Sequence, residues 1–141
     1  MRDLEQAGLI KRVPPSRGEA LEQLALDRRD LHVALNTLET DADWAFAIAY
    51  DAGLHACLSL MVADGWRPRA FDRHRTAIQY ALMSVPGLEP ELLALDSIRQ
   101  KRHRVIYERA GLVGPSEARE VVRLAEALLD AVAGRLGELE A

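Results

Sequence analysis

The twenty residues from Trp44 to Ala63, WAFAIAYDAGLHACLSLMVA, restrict what this chain can become more than any other segment. Asp51 and His55 are the only strongly polar titratable groups among them. A helix of about 20 residues is long enough to cross a bilayer. A carboxylate near the middle of that bilayer costs about 2.5–3.5 kcal/mol, however, and Asp41, Asp43 and Asp64 crowd the two ends. A helix that is apolar nearly all round also describes the centre of a soluble bundle. The segment therefore reads as a buried central rod and not as a membrane span.

A rod of that kind needs amphipathic neighbours, and the rest of the sequence supplies them. Residues 3–10 read as a short leading helix stopped by Pro14-Pro15. Ser16 and Glu19 form a capping-box signature. The helix behind it runs to about Glu39, with Ala20, Leu21, Leu24, Leu31, Ala34, Leu35 and Leu38 at three- and four-residue spacing. Asp41 or Asp43 caps the central helix, which ends near Gly65, and Trp66-Arg67-Pro68-Arg69 reads as a loop. A shorter helix covers about 71–84, another runs from Pro90 to about Arg109, and Pro115 opens a last one with a clean apolar stripe. No strand pair is expected, because alternation is absent and no Asn-Gly or Asp-Gly turn joins β-rich runs. The expected fold is all-α: an up-and-down four-helix bundle over residues 16–137, preceded by a short helix and linker in residues 1–15.

Composition narrows the function classes. The 141 residues are 49% hydrophobic and 28% charged, enough to enclose one core without disulfides. Cys57 is the single cysteine, which excludes an internal disulfide and any multi-cysteine zinc site. A formal charge of −4 excludes a globally basic nucleic-acid binder. Met1 is followed by Arg2, Asp3 and Glu5 rather than by a basic start and an apolar run, as expected for a cytoplasmic protein. No metal or other cofactor is expected: His32 and His74 lack a partner at ligand spacing, and no glycine-rich phosphate loop exists. Trp44 and Trp66 read as core or end packing.

The helix 90–109 breaks its own pattern. Its apolar stripe runs Leu88, Leu92, Leu95 and then meets Arg99 and Arg102 before Ile106. A guanidinium on a core-facing stripe keeps its proton, so it must be paired or must line a wet cleft. The central rod has a matching anomaly, since Asp51, His55 and Ser59 recur every four residues. The two polar lines are expected to face one another or a shared cleft. Either a buried Asp51–Arg102 pair only fixes helix register, or the line belongs to an anion site. Local charge bears on the second option. Residues 99–109 hold five Lys+Arg against one acid, and residues 66–75 hold four Arg against one Asp. Those 21 residues carry +7 while the other 120 carry −11. Positive charge focused in this way within an acidic protein points to phosphate or nucleic-acid backbone contact, or to an acidic partner.

Three stretches carry a resemblance. They are Asp30-Leu31 in the first long helix, DWAFAIAYDAGLHACLSLMVADGWRPR, and SIRQKRHRVIYERAG. Together they resemble the HEPN superfamily (higher eukaryotes and prokaryotes nucleotide-binding), and in particular its small stand-alone branch, over most of residues 16–133. That resemblance implies a helical bundle that binds nucleotide or RNA as a homodimer. Nuclease members cut RNA without a metal, using an Arg, a polar residue and, after a few positions, a His. Arg102 matches that Arg and His103 the polar position, while Tyr107 stands where the His would be. A phenol with a pKa near 10 is a poor general base at neutral pH, and His103 points about 100° away from Arg102 around the helix. The motif is degenerate for catalysis yet retains phosphate-binding groups. Arg99, Lys101, Arg104, Asp51 and His55 complete the expected anion or nucleic-acid site. The resemblance also implies a toxin–antitoxin role with a small nucleotidyltransferase as partner protein. The alternative is a non-catalytic helical module for dimerisation or interaction.

Overall fold

In the computed structural model, residues 2–107 and 111–137 are described, the side chain of Tyr107 excepted. Along the chain come α1 (Arg2–Gln6), β1 (Ile10–Arg12), α2 (Arg17–Thr37), α3 (Ala42–Asp64), β2 (Trp66–Pro68), α4 (Arg73–Ser84), α5 (Glu89–Tyr107) and α6 (Pro115–Arg135). The chain is predominantly helical and is organised as a bundle around α3, which packs against α2, α4, α5 and α6. By length and composition α3 could cross a membrane, but most of its surface is buried inside this bundle.

Small residues make that central position possible. Ala45, Ala49, Ala52, Gly53 and Ala56 are buried and let neighbouring helices approach closely. A Cβ added at Gly53 would lie 3.3 Å from Leu95 Cδ1 and 3.5 Å from Leu128 Cδ1, so α5 and α6 both press on this position. Burial pushes the Cys57 thiol up to about 12, which leaves it an inert small hydrophobe.

The helix ends are set by local chemistry. Ser16 Oγ accepts from Glu19 N at 3.1 Å, the capping bond that starts α2. Asp41 caps α3 by accepting from Trp44 N at 3.0 Å. Asp43 does something else: its carboxylate accepts from the backbone N–H groups of Gly111 and Val113, tying the segment before α6 to the first turn of α3. Gly65 closes α3 in the left-handed region at φ 91, where its N–H reaches the Met61 and Val62 carbonyls.

The sequence expectation of no strand pair is corrected. Ile10 pairs with Pro68 and Arg12 with Trp66 in a short antiparallel ladder. Three-residue strands are too short to display alternation, and their partners lie far apart in sequence, so no hairpin turn marks them. The leading helix accordingly stops at Gln6, and the Trp66–Pro68 segment expected as loop is β2. Trp66 is buried beneath the Arg12 guanidinium, 4.4 Å from its ring centre, whereas Trp44 stands half exposed.

Candidate anion-binding cleft

Parts of the two basic segments of the sequence meet in space. A cavity of about 480 Å³ opens between the start of α4 and the second half of α5, and its walls include Arg73, His74, Arg99, Arg102 and Arg104, with Asp72 as an acid among them. At its edge Arg102 grips Asp51 of α3 in a side-on fork, with Nε 3.1 Å from Oδ1 and Nη2 3.0 Å from Oδ2. That fork engages one edge of the planar guanidinium and leaves the Nη1 edge outside the pair. Arg99, one helical turn earlier, makes only longer contacts: 3.4 Å to Asp96 and 3.7 Å to Asp72. The expected facing of the two polar lines thus takes the form of an Asp51–Arg102 pair at the edge of a concavity.

The start of α4 adds to the positive field. Asp72 occupies the N-cap position at φ 54 and makes no side-chain capping bond, and the first turn, Arg73-His74-Arg75, contains no acid. The unsatisfied N–H groups of that turn and the helix dipole both favour an anion. Arg73 forms no ion pair among the described residues.

Burial shapes the two rings behind the cleft. His74 lies 6.2 Å from Tyr50, ring centre to ring centre. Burial lowers the His74 pKa, and the Arg102 charge lowers it further, so the imidazole is neutral at pH 7 and can both donate and accept. Burial likewise pushes the Tyr50 phenol upward, against the pull of Arg99 and Arg102. The Tyr50 hydroxyl is fully buried without a hydrogen-bond partner. These groups suit the holding of phosphate oxygens; the two guanidiniums supply charge and His74 a neutral hydrogen bond.

Not every residue expected at the site arrives there. Lys101 turns to α6, where its Nζ lies 2.7 and 2.8 Å from the Glu117 carboxylate oxygens. His103 and Arg104 are exposed on the cleft wall. The Tyr107 side chain lies outside the described residues. His55 faces α2 rather than Arg102: its Nδ1 is 3.4 Å from Oδ1 of Asp27, a carboxylate with no solvent exposure. Asp27 also accepts from Gln23 Nε2 at 3.0 Å. Sequence reasoning did not single out Asp27, although the signal was there. The buried stripe of α2 reads Ala20, Leu24, Asp27, Leu31, Ala34, and a carboxylate in that series needs a partner. Among the described residues no group of three or more His, Cys, Asp or Glu side chains could hold a metal ion.

No family model, no curated protein and no solved structure matches this chain.

Proposed function

We propose that the chain is a cytoplasmic HEPN-like protein, an up-and-down four-helix bundle that binds RNA or a nucleotide through the arginine cleft and acts as a homodimer. The gathering of Arg73, Arg99, Arg102 and Arg104 around one concavity carries this reading, because an acidic protein has there brought four guanidinium groups together. Arg102, oriented by Asp51, and the loosely paired Arg99 hold phosphate, and His74 donates or accepts beside them. With Tyr107 in place of the motif His, the function is binding, and any RNase activity is the residue of a degenerate motif. A toxin–antitoxin role beside a nucleotidyltransferase partner protein follows from the same resemblance.

The test is anisotropy of a labelled short RNA between about 50 and 200 mM salt. Affinity should fall linearly on a log–log plot, and Arg99→Ala and Arg102→Ala should each reduce the slope by about one. Binding that ignores salt, or slopes unchanged in both variants, refutes the reading. Cleavage in EDTA that disappears in Arg102→Ala and Tyr107→Phe would show that the motif still works.

One observation favours a second reading, a non-catalytic interaction module. The Asp51–Arg102 fork is two-pronged and partly buried, as a purely register-setting pair would be. Under that reading Arg102→Ala lowers stability and leaves RNA retention where it was.

A further inference from the structure

A second cavity, of about 250 Å³, lies on the other side of Arg73, between α2, α3, β2 and α4. Its walls carry an unusual polar set. Ser59 is 2% exposed, and its Oγ has no hydrogen-bond partner although it lines the cavity. Buried polar atoms are satisfied by protein, water or ligand, so an orphaned hydroxyl on a residue at a cavity wall has its hydrogen-bonding capacity left over for an incoming group. His55 stands one helical turn away on the same wall. Because its Nδ1 faces Asp27, its Nε2 is the nitrogen left for an incoming group. Arg67 and Arg73 stand at the rim, and Glu19, bonded to Arg67 at 3.0 Å, is the one acid lining the space among the described residues. Leu58, Val62 and Pro68 add an apolar patch.

We infer that this cavity is a second, separate site for a phosphate dianion, either free phosphate or the phosphoryl end of a small monoester. Arg67 and Arg73 supply the charge, the Ser59 hydroxyl and the His55 Nε2–H donate to the oxygens, and the apolar patch receives the carbon end of an ester. Asp27 acts as a positioning residue, since the buried carboxylate fixes the His55 ring and favours its charged form. The groups around His55 are Asp27 and Asp30 from α2, Asp51 from its own helix, Glu19 at the wall, and the two rim arginines. The two sites share Arg73 and are otherwise distinct, because Ser59 and His55 line only this cavity and Arg99 and Arg102 only the other.

The full chain is titrated with inorganic phosphate and, separately, with glycerol phosphate, following the His55 imidazole protons by NMR. Sodium chloride at matched ionic strength is the control. A saturable shift with a Kd in the millimolar range or tighter is expected. Ser59→Ala, a small change that thermal unfolding should show to be folded, and His55→Gln should each weaken binding at least about fivefold, roughly one lost hydrogen bond. Arg102→Ala should leave the titration unchanged, and Ser59→Ala should leave RNA binding unchanged. Saturation by inorganic phosphate alone identifies the free ion, and tighter saturation by glycerol phosphate identifies a monoester. A shift reproduced by chloride, no saturation with either anion, or wild-type affinity in Ser59→Ala would overturn the inference.

Discussion

Removing the Arg102 guanidinium separates the two roles the fork could play, and the structure sets the size of the effect. Two charge-assisted hydrogen bonds of 3.0 and 3.1 Å are lost, and Asp51 is left facing α5 without its partner. Breaking a fully buried pair costs about 3–5 kcal/mol, while a fully exposed pair is worth about 0–1 kcal/mol. The Arg102 and Asp51 side chains retain 21% and 34% exposure, so water screens the stranded carboxylate in part. A loss of about 1–2 kcal/mol for Arg102→Ala lies between those limits. At roughly 3–4 °C per kcal/mol for a domain of this size, the melting temperature should fall by about 3–8 °C. Urea unfolding of wild type, Arg102→Ala, Asp51→Ala and the double variant closes a cycle whose coupling energy should be about 1 kcal/mol or more. RNA anisotropy on the same four proteins, at a temperature where all are folded, reads the second role. Loss of both stability and salt slope in Arg102→Ala supports a fork that orients a phosphate ligand. A coupling energy near zero would mean the guanidinium is not held by Asp51, and an unchanged salt slope would leave it as a register device; either result refutes the binding argument.

Other expectations follow from the same geometry. The Asp27 carboxylate raises the His55 pKa above its ordinary value, so the stability this contact adds is complete below about pH 6.5 and is lost as pH rises through the higher folded-state value. Urea midpoints of wild type should decline across that interval while those of His55→Gln stay flat, and Asp27→Asn should bring the NMR titration of His55 down. His74 behaves oppositely, with a pKa lowered by burial and by Arg102; an anion seated in the arginine cleft offsets that charge, so the His74 titration should move upward when RNA is bound. Gly65→Ala forces an L side chain to φ 91 and places a Cβ 3.0 Å from Val13 O. It should destabilise by about 1–3 kcal/mol, measured by thermal unfolding.

The helices were legible because each rests on local chemistry. The Ser16–Glu19 cap, the closing Gly65 and the opening Pro115 all act within a few residues of the ends they define. The anomaly of Arg99 and Arg102 was legible for a similar reason, since a charge in an apolar stripe is visible without knowing its partner. Partners were harder. Asp51 and Arg102 could be matched because both were conspicuous, whereas Asp27 passed as one more acid on a charged helix. Asp43 was read as a possible cap, and only three-dimensional proximity shows that it serves the segment before α6. The β1–β2 ladder escaped because its register comes from the packing of Ile10 and Trp66 rather than from any repeat.

The Asp43 tether bears on how a ligand would be received. With its following segment anchored to the start of α3, Lys101 bonded to α6 and Arg102 to α3, α5 has little freedom to slide or rotate. The helix sets the register of Arg99 and Arg102, and the Asp51 fork holds the Arg102 guanidinium in place before any guest arrives. A partner would meet a rigid template, surrendering its own freedom but demanding little from the host, which favours fast, shape-selective capture over slow remodelling.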